Sequence, residues 1–519
     1  AGKKGAAVPY YSLLLQSSNG IEIRSIHHNL VVLSLDQDVF LSNHLIQMYG
    51  KHGFLDESFS VFYRLERRNI FSWTTMIIAC VLFYSHEVSA FQILENMLSE
   101  GMFPIHHTFS AIVGSCICKE RGKRLHVYIL NAGLETNAYV GSSLIHMYGK
   151  CGCLKSSQKA FDLIHIKDSV SWTAMITIYA SNESRKAIDL YFRMERDGMR
   201  PNEVTFSSIL VACVSLSDLV TGRMIHAKVY QNGSCSVLLV ANALLNMYGK
   251  CGRLEEAKWI FNDQIQRDTV SWNSIILAHT LHEKHEEAIK LFTQMGEQGV
   301  EPNDVTFINV LSACAEVIVP IQGKVVYAWI VCLGLDLFPV VSTSPVSMYG
   351  KCGCINDADN VFYNTCIRDV VSWTSLIEAY ASHGHAKVVV ELLLEMQYEG
   401  VKPDAITYMS VLSSCSHAGW VDEACWQFKS MNEDYGVSCT IEHYGCLIDL
   451  YGRVGKLEEA EVLMFEMPFL PNDVVWEIFL SACQAHHDLE RGRSVAEQMI
   501  WAIPECSIPY VLASNIYAL

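Results

Sequence analysis

Nineteen cysteines are the side chains most able to do covalent or metal chemistry in this 519-residue chain. Two pairs, Cys151/Cys153 and Cys352/Cys354, are each separated by a single glycine. A structural zinc site gathers C-x-x-C pairs, or one such pair and a His pair, into a tetrahedron. The one-residue gap is too short for that knuckle, and no matching His pair lies near either one. Most of the cysteines instead recur once per repeat on apolar stripes. There a thiol packs as a small hydrophobe, and a reducing compartment leaves it unpaired. Buried core thiols are therefore expected, and neither a metal nor a cofactor is.

The elements that carry these residues are counted out by repetition. The hexapeptide Met-Tyr-Gly-Lys-Cys-Gly begins at Met147, Met247 and Met348, with a near-copy from Met48, at steps of 99, 100 and 101 residues. Trp73, Trp172, Trp272 and Trp373 keep the same spacing, as do Cys116, Cys213, Cys314 and Cys415. Each hundred residues thus divides into three related blocks of about 31 to 36 residues, the period of a helical-repeat solenoid. In one block Val270-Ser271-Trp272-Asn273-Ser274-Ile275-Ile276 opens a helix. A second helix over 286–295 follows, with Ala288, Leu291, Phe292 and Met295 on one face, and Gly299 and Pro302 stop it. The repeated Trp, and Tyr148, Tyr248 and Tyr349, are embedded in hydrophobic runs and read as core, not as stacking platforms.

Such a chain needs no central core, because each hairpin buries its faces against its neighbours and the apolar area grows with repeat number. The 50% hydrophobic content agrees. No charge-free run of 18 apolar residues appears, so no membrane partner is expected. Ala1–Ala7 holds two lysines and no apolar signal segment, so a targeting peptide is expected to be missing from this sequence. A formal charge of −17 gives no general attraction to phosphates, although an inner groove can still contact bases while acidic residues face outward. On composition alone, a protein-binding solenoid is the favoured class.

Three stretches carry a more specific resemblance: Ser171-Trp172-Thr173-Ala174-Met175-Ile176; Asn242-Ala243-Leu244-Leu245-Asn246-Met247-Tyr248-Gly249-Lys250-Cys251-Gly252; and Gly299-Val300-Glu301-Pro302-Asn303-Asp304-Val305-Thr306-Phe307. Over nearly its entire length the chain resembles the plant pentatricopeptide-repeat family, in particular its P-L-S subclass of alternating motif lengths. The resemblance implies an all-α, right-handed superhelical solenoid of stacked helix-turn-helix repeats. It divides the chain into a degenerate L-type repeat over 1–38, a P-L-S tract over 39–472 and E-type repeats over 473–519. Val475-Trp476-Glu477-Ile478-Phe479-Leu480-Ser481-Ala482-Cys483 resembles the first E motif. Tyr510-Val511-Leu512-Ala513-Ser514-Asn515-Ile516-Tyr517 looks like the start of a second, inside which the sequence stops. Either a fragment or a lost tail is expected.

The resemblance further implies single-stranded RNA as partner, with one base read per repeat by the fifth and last residues of a motif. The chemistry of the last position can be stated independently. U and G present a ring N–H donor on their pairing edge, whereas A and C present a ring acceptor. A terminal Asp therefore suits U or G, and an Asn amide can donate to A or C. At the fifth position this family uses Thr or Ser for purines and Asn for pyrimidines. Carried onto this sequence, Asn43 with Asn69 implies a pyrimidine, Ser142 with Asp168 G, and Thr173 with Asn202 A. Asn242 with Asp268 implies U, Asn273 with Asn303 C or U, and Thr343/Asp369 and Thr374/Asp404 G each. Thr74 is paired with Ile105, whose alkyl group cannot hydrogen-bond, and the L-type pairs Ser207/Val237 and Ile308/Phe338 are similarly mute. An isolated Asn or Asp at a helix start is commonly a cap. The shared phase of these residues is what favours RNA contact.

P-L-S proteins with E motifs resemble organellar editing factors that place a cytidine before a deaminase. Zinc-water attack on a cytosine ring needs H-x-E and a later C-x-x-C. His86-Glu87 and His285-Glu286 have the wrong spacing, so the chain is expected not to be an enzyme. The resemblance implies a mitochondrion or chloroplast and selection of mRNA cytidines for a deaminase-domain protein in trans. The alternatives are transcript stabilisation, splicing or translation control and, from a different class, a protein-binding scaffold.

Overall fold

The fold is seen in a computed structural model that describes residues 19–82, 87–365 and 367–502. The described residues form helices joined by turns, and the chain divides into two compact units, Ala1–Gln264 and Ile265–Leu519. Each unit is a stack of helical hairpins. In the first, a helix at Gly20–Val32 precedes hairpins whose lead helices begin with Val39–Lys51 and Ile70–Val81 and end with Leu238–Lys250. In the second, the lead helices run from Thr269–Leu281 through Asp304–Val317 and Pro339–Lys351 to Asp473–Ala485. Within each unit every lead helix packs on the next lead helix. Each trailing helix wedges between its own lead helix and the following one. The expected all-α solenoid of helix-turn-helix repeats is the observed fold. The proposed start of a second E motif lies outside the described residues.

The repeated residues are the rivets of this stacking. Trp73, Trp172, Trp272 and Trp373 sit one turn into their lead helices and are all but completely buried. Trp172 meets Phe161 of the preceding trailing helix edge to face, with ring centroids 5.0 Å apart, and Trp373 meets Phe362 in the same way at 4.7 Å. Such pairs contribute about 0.5–1.5 kcal/mol beyond the area they bury. The repeated Met147, Met247 and Met348 are also buried, each against a glycine of the preceding trailing helix: Gly122, Gly222 and Gly323. A side chain at those glycines would occupy the space of the methionine sulfur.

The hexapeptide also ends its helix. Gly152, Gly252 and Gly353 take left-handed backbone conformations with φ of +68°, +79° and +73°, which costs glycine nothing and other residues about 1 kcal/mol or more. The turn closes when Cys153 N–H donates to the Tyr148 carbonyl at 2.8 Å.

The expectation of core thiols needs dividing. Cys116, Cys213, Cys314 and Cys415 are buried, and burial pushes the Cys213 and Cys415 thiols up to about 12, so they stay protonated. The thiols beside the turn glycines, Cys151, Cys153, Cys251, Cys352 and Cys354, are only half-buried. They follow the last helical turn, where the chain emerges at the hairpin end. All described cysteines are free, and among the described residues no group of three or more His, Cys, Asp and Glu side chains could hold a metal ion. No helix of the described residues is long and apolar enough to cross a membrane.

Candidate nucleic-acid interface

Seven of the lead helices begin alike. Asn69, Asp168, Asn202, Asp268, Asn303, Asp369 and Asp404 each occupy the position just before a lead helix. Each accepts, through Oδ1, the backbone N–H three residues on: from Ser72 at 2.9 Å, Ser171 at 2.8 Å, Thr205 at 2.9 Å, Ser271 at 2.9 Å, Thr306 at 3.1 Å, Ser372 at 2.9 Å and Thr407 at 2.8 Å. These last-position residues are therefore helix caps, each worth about 1 kcal/mol. The cap uses one atom of the side chain. The second atom, Oδ2 of Asp or Nδ2 of Asn, plays no part in it.

The fifth-position residues lie about one turn further into the helices. Thr74, Ser142, Thr173, Asn242, Asn273, Thr343 and Thr374 are buried, and Asn43 is half-buried. Two motif pairs touch directly: Asn273 Nδ2 donates to Asn303 Oδ1 at 2.9 Å, and Asn43 Nδ2 to Asn69 Oδ1 at 3.5 Å. Two others are joined through a hydroxyl. Thr173 meets Thr205 at 2.8 Å, and Thr205 Oγ1 donates to Asn202 Oδ1 at 2.9 Å. Thr374 meets Thr407 at 2.7 Å, and Thr407 donates to Asp404 at 2.8 Å.

Ser142 and Thr343 donate to the carbonyls four residues back, Ala138 at 2.7 Å and Pro339 at 2.6 Å. Asn242 Oδ1 accepts from Gln264 Nε2 at 3.3 Å within the first unit, and Asp268 belongs to the second. Thr74 meets Thr108 at 2.6 Å, but Ile105 ahead of that helix offers no capping side chain. Val237 and Phe338 likewise precede lead helices that no side chain caps, so the mute pairs are also the uncapped ones. Glu286 is exposed at the start of His285–Glu297, and His86 lies outside the described residues.

A further set of residues escaped the sequence reading. The second residue of most lead helices is apolar yet exposed: Phe40, Phe71, Tyr139, Val170, Val204, Leu239, Val270, Val305, Val371 and Ile406, all between 46% and 65% accessible. Single exposed apolar side chains are ordinary, but here they recur at one phase, two residues past the caps. All but Leu239, which follows Val237, stand two residues past an Asn or Asp that caps the helix. The arrangement can hold a flat aromatic ring by apolar contact while its edge meets the cap.

Profiles described as PPR repeat family and PPR repeat match this sequence, the first over 167–215, 267–316 and 368–417, the second over 40–70, 240–263, 406–435 and 442–469. The putative pentatricopeptide repeat-containing protein At3g47840 of Arabidopsis thaliana is 34% identical over 507 residues, 97% of this chain and 72% of that protein. Pentatricopeptide repeat-containing protein At3g13880 of the same plant is 32% identical, covering 96% of this chain and 68% of its own length. A third Arabidopsis relative, At1g11290, whose name carries the word chloroplastic, is 33% identical over 95% of this chain and 61% of its own. The chain belongs to the pentatricopeptide-repeat family. Its fold is also that of the crystal structure of the pentatricopeptide repeat protein PPR10 from maize, at 17% identity and a TM-score of 0.59, over 97% of this chain and 75% of that one. A crystal structure of PPR10 in complex with an 18-nt psaJ RNA element matches at 18% identity with a TM-score of 0.61, over 96% and 75%.

Proposed function

We propose that this protein binds single-stranded RNA by sequence in an organelle, mitochondrion or chloroplast, and selects cytidines in mRNA for C-to-U editing by a deaminase supplied in trans. The observation that carries this reading is the row of caps. At seven lead-helix starts an Asn or Asp spends Oδ1 on the helix, two residues before an exposed apolar residue. A protein-binding platform has no need to vary Asn and Asp at one fixed phase while keeping the cap.

On this reading the chain is a P-L-S protein with an E-type region from Asp473. From 5′ to 3′ its repeats take a pyrimidine, then G, A, U, a pyrimidine, G and G. The bound PPR10 structure and the chloroplastic relative lend support by family likeness. The repeats contribute position, which is itself a large part of catalysis when a reacting base must be held before a metal-bound water.

Crosslinking the protein to RNA in its native cells, with sequencing of the bound fragments, tests the reading. Recovered fragments should carry the pattern upstream of an edited cytidine. RNA incubated with the purified chain should keep its cytidines until a compatible deaminase is added. Fragments without a common sequence would defeat the proposal. Failure of every deaminase together with altered transcript abundance on loss of the protein would favour transcript stabilisation.

A further inference from the structure

Two repeats carry Asn at both reading positions, and the residue three past the cap treats them differently. In the second unit, the backbone N–H of Thr306 donates to Asn303 Oδ1 at 3.1 Å, which fixes the carbonyl side of that amide inward. Asn273 must then offer its amino group to the same oxygen, at 2.9 Å. Its own carbonyl oxygen is left facing the Thr306 hydroxyl at 2.6 Å. That hydroxyl accepts from the Asn303 backbone N–H at 3.1 Å, so its single hydrogen goes to the nearer acceptor, Asn273 Oδ1. Both carbonyl oxygens are thereby satisfied inside the protein. What remains for the groove is N–H alone, from Asn303 Nδ2 and from the second hydrogen of Asn273 Nδ2.

The first unit holds the contrasting case. Asn69 Oδ1 accepts from Ser72 N at 2.9 Å and from the Ser72 hydroxyl at 3.0 Å, and Asn43 Nδ2 reaches the same oxygen at 3.5 Å. The Asn43 carbonyl oxygen, however, is buried with no hydrogen-bond partner. An orphaned carbonyl is costly enough that it turns toward any donor a ligand brings.

We infer that Thr306 is a specificity-determining positioning residue: its hydroxyl consumes the Asn273 carbonyl, restricts the repeat to hydrogen-bond donors and so admits cytosine while rejecting uracil. Cytosine presents the ring acceptor N3 where uracil presents N3–H. A site holding only donors meets the first and opposes the second. The Asn43 repeat, with a carbonyl still seeking a donor, accepts both pyrimidines. This deepens the RNA reading proposed above and rests on it, because Thr306 acts through Asn273 and touches no base itself. Nothing in an ordinary capping role would make its hydroxyl matter to one base over another.

The test is selection of bound sequences from an RNA pool randomised at every position, using the purified full chain and its variants. Wild type should enrich C over U at the position of the Asn273 repeat, and enrich C and U about equally at that of Asn43. Thr306→Val should reduce the C:U ratio at the first position by about five-fold, the worth of one net hydrogen bond, and leave the other positions unchanged. Thr306→Ser, which keeps the hydroxyl, should restore the ratio, and Ser72→Val should leave the C:U ratio of the Asn43 repeat as it is. Unchanged preferences at the other repeats report that the variants are folded. An unaltered C:U ratio in Thr306→Val, with wild type discriminating, overturns the inference and leaves the RNA reading standing. A wild-type chain that enriches no base anywhere defeats the RNA reading and this inference together.

Discussion

Gly222 and Met247 approach so closely that a Cβ on the glycine would stand 2.7 Å from the methionine sulfur. The two residues join a trailing helix to the next lead helix, and the relation recurs at every copy of the hexapeptide in the described tract. Gly222→Ala should therefore overpack the joint and destabilise its unit by about 1–2 kcal/mol, the lower end of the overpacking range, because a methionine tail can partly yield. Chemical denaturation followed by circular dichroism measures it. An unchanged midpoint would mean that the joint is looser than its geometry implies.

Asp268 and its amide isostere should part stability from recognition. Asp268→Asn keeps the Oδ1 acceptor of the Ser271 N–H and should cost only a few tenths of a kcal/mol, whereas Asp268→Ala should cost about 1 kcal/mol. In a binding assay with four bases opposite this repeat, Asp268→Asn should move the preference from U toward C. Retention of the U preference would remove Asp268 from the reading set.

Phe71 offers a test of the exposed apolar row. The residue is 65% accessible. Phe71→Ala should change the free energy of unfolding by no more than about 0.5 kcal/mol. RNA affinity should fall by about five-fold or more, in keeping with the loss of one base stack. Equal affinity in the variant would make the row a mere surface pattern.

Acid should weaken the first unit. His126 and His226 point Nδ1 at the hydroxyls of Tyr148 and Tyr248, at 2.8 and 2.9 Å, and burial holds both imidazoles below their usual 6.5, with Glu135 pulling His126 part of the way back. His126 Nε2 is buried with no hydrogen-bond partner, so protonation there would add a donor that no acceptor meets. Below pH 6.5 the unfolded chain binds more protons than the folded one, so stability declines as the pH falls from 6.5 toward the lower folded values. Melting curves between neutral and mildly acidic pH should show this, and the double variant His126→Gln/His226→Gln should flatten the decline.

Much of this architecture is legible in the residue order. Trp272, Met247 and Cys314 recur because the joints they fill recur, and a repeated joint writes a repeated letter. The capping role was legible too: Asp268 with Ser271, and Asn303 with Thr306, have the three-residue spacing of a capping box. The hydroxyl links were not, because Thr173 and Thr205, or Asn273 and Thr306, come together only when successive lead helices stack. The exposed row was hidden for another reason. Val170 and Val270 stand two residues from a buried Trp, and hydrophobicity alone cannot say which of two neighbours faces in. The half-buried Cys151 and Cys352 misled in the same way, since their helix ends just before them.

The capping oxygen has a consequence for how such a chain can change. Oδ1 is common to aspartate and asparagine, and each of the seven capped starts uses that atom. A single nucleotide exchange between the two residues changes the other side-chain atom from acceptor to donor while the helix begins as before. On the proposed reading, each capped repeat can thus be rewritten independently of its neighbours, with almost no thermodynamic barrier between one target sequence and the next.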